Sequence, residues 1–213
     1  MAMNMKNSAN LATLFRTCLI FAVIYFLNIN SPLLTIFGTA LLIFAAILDG
    51  ADGYLARKYC NNNKFGSLID TLGDRITENL LLIFFAYKQL IPVWIPLIFV
   101  ARSFLSDFVR LICFMDGVGT FEINRSKLGF WFVASKTSRA GYLIFKMSIF
   151  LIGAITLCMI ASTAGQGGDN AGLLPYLRCI LFYSSWILVF FNLTRFALLV
   201  YDSRSILRRE LVD

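Results

Sequence analysis

Four aspartates form two closely spaced pairs beside apolar stretches of the chain, Asp49 with Asp52 and Asp70 with Asp74. Residues three or four positions apart share one face of an α-helix, so each pair would project its carboxylates to the same side. Clustered carboxylates repel one another, and an ionised side chain inside a bilayer costs roughly 2.5–3.5 kcal/mol by insertion scales. The cluster therefore predicts bound cations. Oxygen-only ligands favour Mg²⁺, Mn²⁺ or Ca²⁺ over zinc, and two such ions about 3.5–4 Å apart support displacement at phosphorus.

The segment between the two pairs has the composition of a turn. Residues 60–66 read Cys-Asn-Asn-Asn-Lys-Phe-Gly, and the residues on either side are predominantly apolar. We therefore predict two antiparallel helices joined by a short loop, each offering two carboxylates to one cleft.

The spacing of these residues resembles the signature of a known family, the CDP-alcohol phosphotransferases. The pattern D-x-x-D-G-x-x-A-R, eight residues, then G-x-x-x-D-x-x-x-D is complete, and its positions are Asp49, Asp52, Gly53, Ala56, Arg57, Gly66, Asp70 and Asp74. The resemblance implies a membrane enzyme of phospholipid synthesis that transfers the phosphatidyl group of CDP-diacylglycerol to a small alcohol and releases CMP. It also implies two divalent cations, Mg²⁺ or Mn²⁺, held by the four aspartates, with Asp74 serving as general base as well.

The same resemblance assigns residues to the CDP-lipid. Small side chains let a nucleotide approach the helix, an arginine can pair with a phosphate oxygen, and a glycine lets the loop close over the ligand. These roles fall to Gly53, Ala56, Arg57 and Gly66. Near the amino terminus, Asn10 and Thr13 resemble an N-x-x-T segment that faces the nucleotide in related enzymes.

Basic residues within the later apolar segments suggest where the acceptor binds. They are costly in lipid unless they face a cavity or extend to the interface, and their positions are Arg102, Arg110, Lys136, Arg139 and Arg195. The segment from Arg102 to Arg110 resembles the R-E-x-x-x-x-x-x-R pattern of phosphatidylglycerophosphate synthases, whose acceptor is glycerol 3-phosphate. Ser103 replaces the acid of that pattern. A later K-T-x-x-Q segment would begin at Lys136, and Ala140 stands at the position of its glutamine. We expect a basic pocket for an acceptor phosphate, and snorkelling to the interface is the alternative.

Composition places the whole chain in a membrane. Of 213 residues 59% are hydrophobic, and the mean hydropathy is +0.76, well above the usual 45–50% apolar share of soluble domains. A net charge of +7 in such a chain points to anionic lipid rather than nucleic acid. The absence of histidine excludes Ser-His-Asp triads and H-E-x-x-H zinc sites. The five scattered cysteines are expected to be packing residues.

The apolar segments predict an all-α integral membrane protein with six transmembrane helices and an interfacial segment at residues 10–16. We expect a single domain, residues 1–213, no cleaved signal peptide, and helices at residues 11–27, 32–58, 67–89, 91–114, 137–161 and 175–201. One side carries ten basic residues: Lys6, Arg16, Arg57, Lys58, Lys64, Arg125, Lys127, Arg204, Arg208 and Arg209.

The positive-inside rule then places both termini and the aspartates on the cytoplasmic face, in a bacterial inner membrane or its equivalent. A homodimer is expected from the resemblance alone.

Two alternatives stay open at this point. The same chemistry could serve another acceptor, such as inositol phosphate, serine or choline. Outside this class, intramembrane carboxylates could mark a cation transporter. Transporter sites tend to lie near the bilayer midplane on broken helices, whereas all four aspartates map to one membrane face, which favours the transferase.

Overall fold

The described part of the protein is entirely helical. A computed structural model describes the backbone of residues 2–59, 64–115, 129, 131–132, 135–163 and 172–210, and the side chains of 15–48, 72–113, 115, 129, 131–132, 135, 137–163 and 172–208. Within these ranges six α-helices form and no strand occurs: α1 Ala2–Asn28, α2 Pro32–Tyr59, α3 Lys64–Tyr87, α4 Trp94–Met115, α5 Lys136–Thr163 and α6 Leu174–Glu210. The all-α class and the six helices agree with the prediction.

Three helices extend beyond their predicted bounds by three residues or more. Helix α1 is continuous from Ala2, so the segment predicted to lie in the interface belongs to the same helix as the first apolar run. Helix α3 begins at Lys64, which puts Gly66 in its first turn and not in the loop. Helix α6 continues nine residues past Tyr201 to Glu210, because the arginines and leucine of the tail are good helix formers.

Contacts group the chain into two compact units, and the first contains the aspartate helices. Unit 1 comprises Met1–Ile91 and Ile149–Phe182, and unit 2 comprises Pro92–Ser148 and Tyr183–Asp213. Within unit 1, α1 packs against both α2 and α3. It does so through a stripe spaced by three and four residues, in which Ile20, Val23 and Leu27 are all buried.

Two glycines of unit 1 mark close approaches between helices. A Cβ at Gly38 of α2 would lie 3.1 Å from both the backbone nitrogen and Cγ of Leu27 in α1. A Cβ at Gly153 of α5 would lie 2.7 Å from Cζ of Phe85 in α3, a ring that is fully buried. The absence of a side chain at these positions lets α1 approach α2 and lets the Phe85 ring rest on α5.

A tight turn ends α3. The Leu90 amide donates to the Phe85 carbonyl and the Gln89 amide donates to the Ala86 carbonyl, both at 2.9 Å, with Gln89 at a φ of 56°. This is the Schellman arrangement, which ordinarily places glycine at the left-handed position. Beside it, Lys88 Nζ donates to the Asn28 carbonyl at 3.1 Å, so a cation meets the carboxyl end of α1.

Unit 2 has its own apolar core between α4 and α6. Val109 and Cys113 of α4 are buried with Leu199 of α6, and Val200, Ile206 and Leu207 pack against them. The two helices are therefore held together near the carboxyl end of α4.

Apolar residues also cover much of the protein's surface. Leu33, Phe104 and Phe190 are each more than 70% exposed, as is usual for residues that face lipid and unusual in water. Within the described residues, Thr137–Thr163 and Leu174–Arg208 are long and apolar enough to cross a membrane, and shorter apolar runs occupy Phe15–Asn28 and Pro32–Leu48. These features indicate a membrane protein.

Candidate active site

The four aspartates lie on two consecutive helices, as their spacing predicted. Asp49 and Asp52 belong to the second half of α2, and Asp70 and Asp74 belong to the first half of α3. Helical backbone at these positions keeps each pair on one face. The side chains of Asp49, Asp52 and Asp70 lie outside the described residues, as do those of the predicted CDP-lipid residues: Asn10, Thr13, Gly53, Ala56, Arg57 and Gly66.

Asp74 is the aspartate whose side chain the structure describes, and it pairs with an arginine of another helix. Nη2 of Arg16 in α1 donates to Oδ1 of Asp74 in α3 at 2.6 Å. The Arg16 side chain is 4% exposed and that of Asp74 is 43% exposed. A short contact of this kind is a charge-assisted hydrogen bond, among the stronger polar contacts in proteins.

No local feature of the sequence pairs these two residues. The sequence places Arg16 at the end of the predicted interfacial segment and among the basic residues on the aspartate side of the membrane. A signal was present in its spacing, because Arg16 lies four residues before Ile20 and so begins the buried stripe of α1. A cation at the end of a buried stripe needs a partner inside the protein.

The predicted acceptor residues that are described all belong to unit 2. Arg102 and Arg110 lie on α4 and Arg195 on α6, and all three are partly buried, whereas Arg139 of α5 is exposed. Lys136 is the first residue of α5, and its side chain lies outside the described residues.

An aromatic ring brings one of these arginines together with a second cation. Cζ of Arg195 lies 4.9 Å from the centroid of the Tyr142 ring, and Nζ of Lys146 lies 5.8 Å from it. Tyr142 is stacked on Phe191 with ring centroids 6.3 Å apart. Because cations are attracted to the ring face within about 6 Å, Tyr142 helps to hold both basic side chains.

Lys146 is a candidate functional residue that the sequence reasoning missed. It is 7% exposed and lies ten residues inside α5, within the apolar stretch Thr137–Thr163. Its position in an apolar segment was a usable signal, since buried cations in membrane helices commonly mark functional sites. What the sequence could not show is that Lys146 shares the Tyr142 ring with Arg195.

A buried amide lies on the same helix as Arg195. Asn192 precedes Arg195 by one helical turn and is 2% exposed, and its Nδ2 has no hydrogen-bond partner within the described part of the chain. An amide N–H donor on the same face as an arginine suits a ligand that carries acceptor oxygens.

A comparison with protein families places these residues in a known group. The family model of CDP-alcohol phosphatidyltransferases matches residues 6–191. The chain belongs to the CDP-alcohol phosphatidyltransferase family. The match includes the aspartate signature and extends over both compact units.

Within this family the chain is similar to several named relatives. It is 33% identical over 105 residues to the CDP-diacylglycerol–glycerol-3-phosphate 3-phosphatidyltransferase of Rickettsia bellii, covering 49% of this chain and 58% of that one. It is 29% identical over 161 residues to the protein of the same name from Haemophilus influenzae, covering 70% and 82%. A probable CMP-forming cardiolipin synthase of Drosophila melanogaster is 39% identical over 67 residues, covering 31% and 21%. The chain thus spans less than two thirds of the length of the Rickettsia relatives.

Enzymes of the CDP-alcohol phosphatidyltransferase family generally depend on a divalent metal. The donor set fits such an ion, because it consists of carboxylates and Asp74 presents a half-exposed carboxylate at the site. Among the side chains that the structure describes, no three His, Cys, Asp or Glu residues come together. The side chains of the other three aspartates are not among the described ones. The argument that the site fits a divalent ion therefore rests on the carboxylate chemistry and on the spacing of the aspartates along the helices.

Proposed function

We propose that this protein transfers the phosphatidyl group of CDP-diacylglycerol to glycerol 3-phosphate, giving phosphatidylglycerophosphate and CMP. The observation that carries the proposal is the complete aspartate signature on two consecutive helices of a chain matched by the family model. The names of the Rickettsia and Haemophilus relatives support glycerol 3-phosphate as the acceptor.

The proposed roles follow the resemblance residue by residue. Asp49, Asp52, Asp70 and Asp74 would hold two divalent cations, Mg²⁺ or Mn²⁺, which when bound neutralise the charge of the diphosphate. The CDP-lipid would lie against the helix of Gly53 and Ala56. Its remaining contacts would come from Arg57, Gly66, Asn10 and Thr13.

The chemistry is a displacement at phosphorus. The acceptor hydroxyl oxygen bonds to the phosphorus on the lipid side of the diphosphate, and the bond from that phosphorus to the CMP oxygen breaks. The carboxylate of Asp74 takes the hydroxyl proton, since the chain has no histidine to do so. Arg16 leaves Asp74 half-exposed, which is compatible with access by a substrate.

The basic side chains of unit 2 favour an acceptor that carries its own phosphate. Arg195 and Lys146 lie over one aromatic ring, and a phosphate would offset the cost of placing both cations in an apolar segment. Arg102, Arg110, Lys136 and Arg139 would complete the acceptor-binding set. The resemblance to a probable cardiolipin synthase supports a second candidate, in which the acceptor hydroxyl belongs to a lipid.

A product assay distinguishes these acceptors. Purified protein with CDP-diacylglycerol should release CMP with glycerol 3-phosphate, and much less with phosphatidylglycerol, inositol phosphate, serine or choline. EDTA should abolish the release, and Mg²⁺ or Mn²⁺ should restore it. Release with phosphatidylglycerol alone would select the second candidate. Full turnover in EDTA would contradict the two-cation site, and no CMP release with any acceptor would contradict the proposed function.

We also propose six membrane spans, with both termini and the aspartates cytoplasmic. The support is the six helices of the described residues together with the excess of Lys and Arg on one side. In a background carrying Cys60→Ser and Cys179→Ser, an Asn62→Cys variant should resist impermeant thiol reagents in intact cells. The matched Asn30→Cys variant, in the exposed turn between α1 and α2, should be labelled. The reverse pattern would invert the topology.

The single-domain organisation and the homodimer complete the proposal. Both are implied by the resemblance, and the family match from residue 6 to residue 191 is compatible with one domain. Light scattering of the purified protein in detergent measures the oligomeric state. A mass of one chain at micromolar concentration would contradict the dimer.

A further inference from the structure

The contact between Arg16 and Asp74 uses only one of the two carboxylate oxygens. Nη2 of Arg16 donates to Oδ1 at 2.6 Å, and Oδ2 makes no hydrogen bond in the part of the chain that the structure describes. Asp74 is also far more exposed than its partner, at 43% against 4%. The pair is therefore asymmetric: the guanidinium is buried, and the partly exposed carboxylate keeps one oxygen that the guanidinium does not contact.

The helix packing holds the guanidinium in place. Arg16 begins the stripe that continues through Ile20, Val23 and Leu27, and those three side chains are at most 1% exposed. The stripe is the face by which α1 packs against its neighbours, α2 and α3. Because Arg16 belongs to this packed face, its guanidinium has little freedom to move. The arginine therefore fixes the orientation of the Asp74 carboxylate.

We propose that Arg16 is a positioning residue that occupies Oδ1 of Asp74 and leaves Oδ2 for a divalent cation and the acceptor's proton. This inference rests on the proposed function of the aspartate cluster. With Oδ1 held by the arginine, Asp74 cannot bind the cation through both oxygens. Oδ2 then contacts the cation through one lone pair, and its second lone pair takes the proton. Its positive charge also keeps the cation from binding too tightly at this carboxylate.

The proposal predicts opposite changes in metal affinity and turnover. Arg16→Gln removes the charge and releases Oδ1, so Mn²⁺ should bind about tenfold more tightly or better. The same variant should lose about 10- to 100-fold in kcat, the usual effect of removing a residue that orients a ligand. Arg16→Lys keeps the charge and one donor, so its Mn²⁺ affinity should stay near that of the wild type and its kcat should exceed that of Arg16→Gln.

The experiment measures Mn²⁺ binding by electron paramagnetic resonance on the full-length protein in detergent, separately from turnover. Arg178→Gln serves as the charge control, because Arg178 is exposed and lies outside the signature. It should leave both the Mn²⁺ affinity and kcat unchanged. Arg16→Met, which keeps aliphatic bulk at the end of the stripe, replaces Arg16→Gln if that variant does not fold, and the same increase in affinity is expected.

The outcomes separate this inference from the proposed function. If Arg16→Gln or Arg16→Met folds and binds Mn²⁺ no more tightly than the wild type, Arg16 does not set the metal contact and the proposal is wrong. If all Arg16 variants, including Arg16→Lys, lose stability and weaken Mn²⁺ binding together, the pair is only structural. Failure of the wild type itself to bind Mn²⁺ would overturn both the proposed cation site and this inference.

Discussion

Substitution of Gly153 tests how closely α3 and α5 are packed. In Gly153→Ala the new Cβ would lie 2.7 Å from Cζ and 2.8 Å from Cε2 of Phe85, whereas ordinary contacts begin at 3.4 Å. The ring must therefore move by about 0.7 Å or α5 must shift. Phe85 is fully buried and also packs near Phe150, itself fully buried, with ring centroids 6.2 Å apart, so the Phe85 ring has little room to move.

A second glycine of the same helix provides a matched control. A Cβ at Gly141 would meet nothing within 4 Å. Each substitution raises the free energy of unfolding by up to about 1 kcal/mol, because alanine has a higher helix propensity than glycine. This increase cancels when the two variants are compared. The remaining difference is the cost of overpacking at Gly153, about 1–3 kcal/mol. For a protein of this size that cost corresponds to a melting temperature about 2–12 °C lower for Gly153→Ala than for Gly141→Ala.

Thermal unfolding of the purified variants in one detergent measures the difference. Phe85→Leu should cost less stability in the Gly153→Ala background than in the wild type, because the smaller side chain relieves the contact. Equal melting temperatures for Gly153→Ala and Gly141→Ala would refute the packing argument. Additive effects of Phe85→Leu and Gly153→Ala would refute the assignment of the cost to the ring.

Three further predictions concern the site and the α3 turn. Asp74→Asn should lower kcat by about 10²–10⁴ at saturating metal, measured by CMP release, and a near-normal kcat would place the base elsewhere. Tyr142→Leu removes the ring under Arg195 and should raise the KM for glycerol 3-phosphate by about 2- to 30-fold, with the KM for CDP-diacylglycerol and the Tyr142→Phe control unchanged. An equal rise in both KM values would argue against a role at the acceptor. Gln89→Gly should raise the melting temperature by about 2–4 °C, because glycine adopts the left-handed conformation at no steric cost, and a decrease would contradict the strain at this turn.

Local patterns predicted the helix ends well where the chain carries proline or turn residues. The start of α2 at Pro32 and the break between α2 and α3 both follow from turn residues and proline. The start of α4 was predicted at Ile91 but lies at Trp94. The reason is the Schellman turn at the end of α3. Its left-handed position is taken by Gln89. A glycine at that position is the usual sign of such a turn in a sequence, and here it is absent.

The site was predictable in its residues but not in its contacts. The spacing of the aspartates is a local property, and helical backbone at those positions follows from the apolar residues around them. The pairing of Arg16 with Asp74 joins residues 58 positions apart and depends on how α1 packs against α3. In the same way, Lys146 and Arg195 meet at Tyr142 only through the packing of α5 and α6. Tertiary contacts of this kind can be inferred only indirectly from the spacing of residues along one helix.

The length of α6 has a consequence for the protein's relation to its lipid surroundings. Thirty-seven residues at 1.5 Å each give a rod of about 55 Å, against a hydrocarbon core of about 30 Å. Helix tilt shortens the projection only modestly, so a segment of α6 must extend into the headgroup layer. Its carboxyl end carries exposed Arg204 and Arg208, which would lie among headgroups with a preference for anionic ones. The proposed product is itself an anionic lipid, so newly made molecules would collect around the helix end of the enzyme that made them.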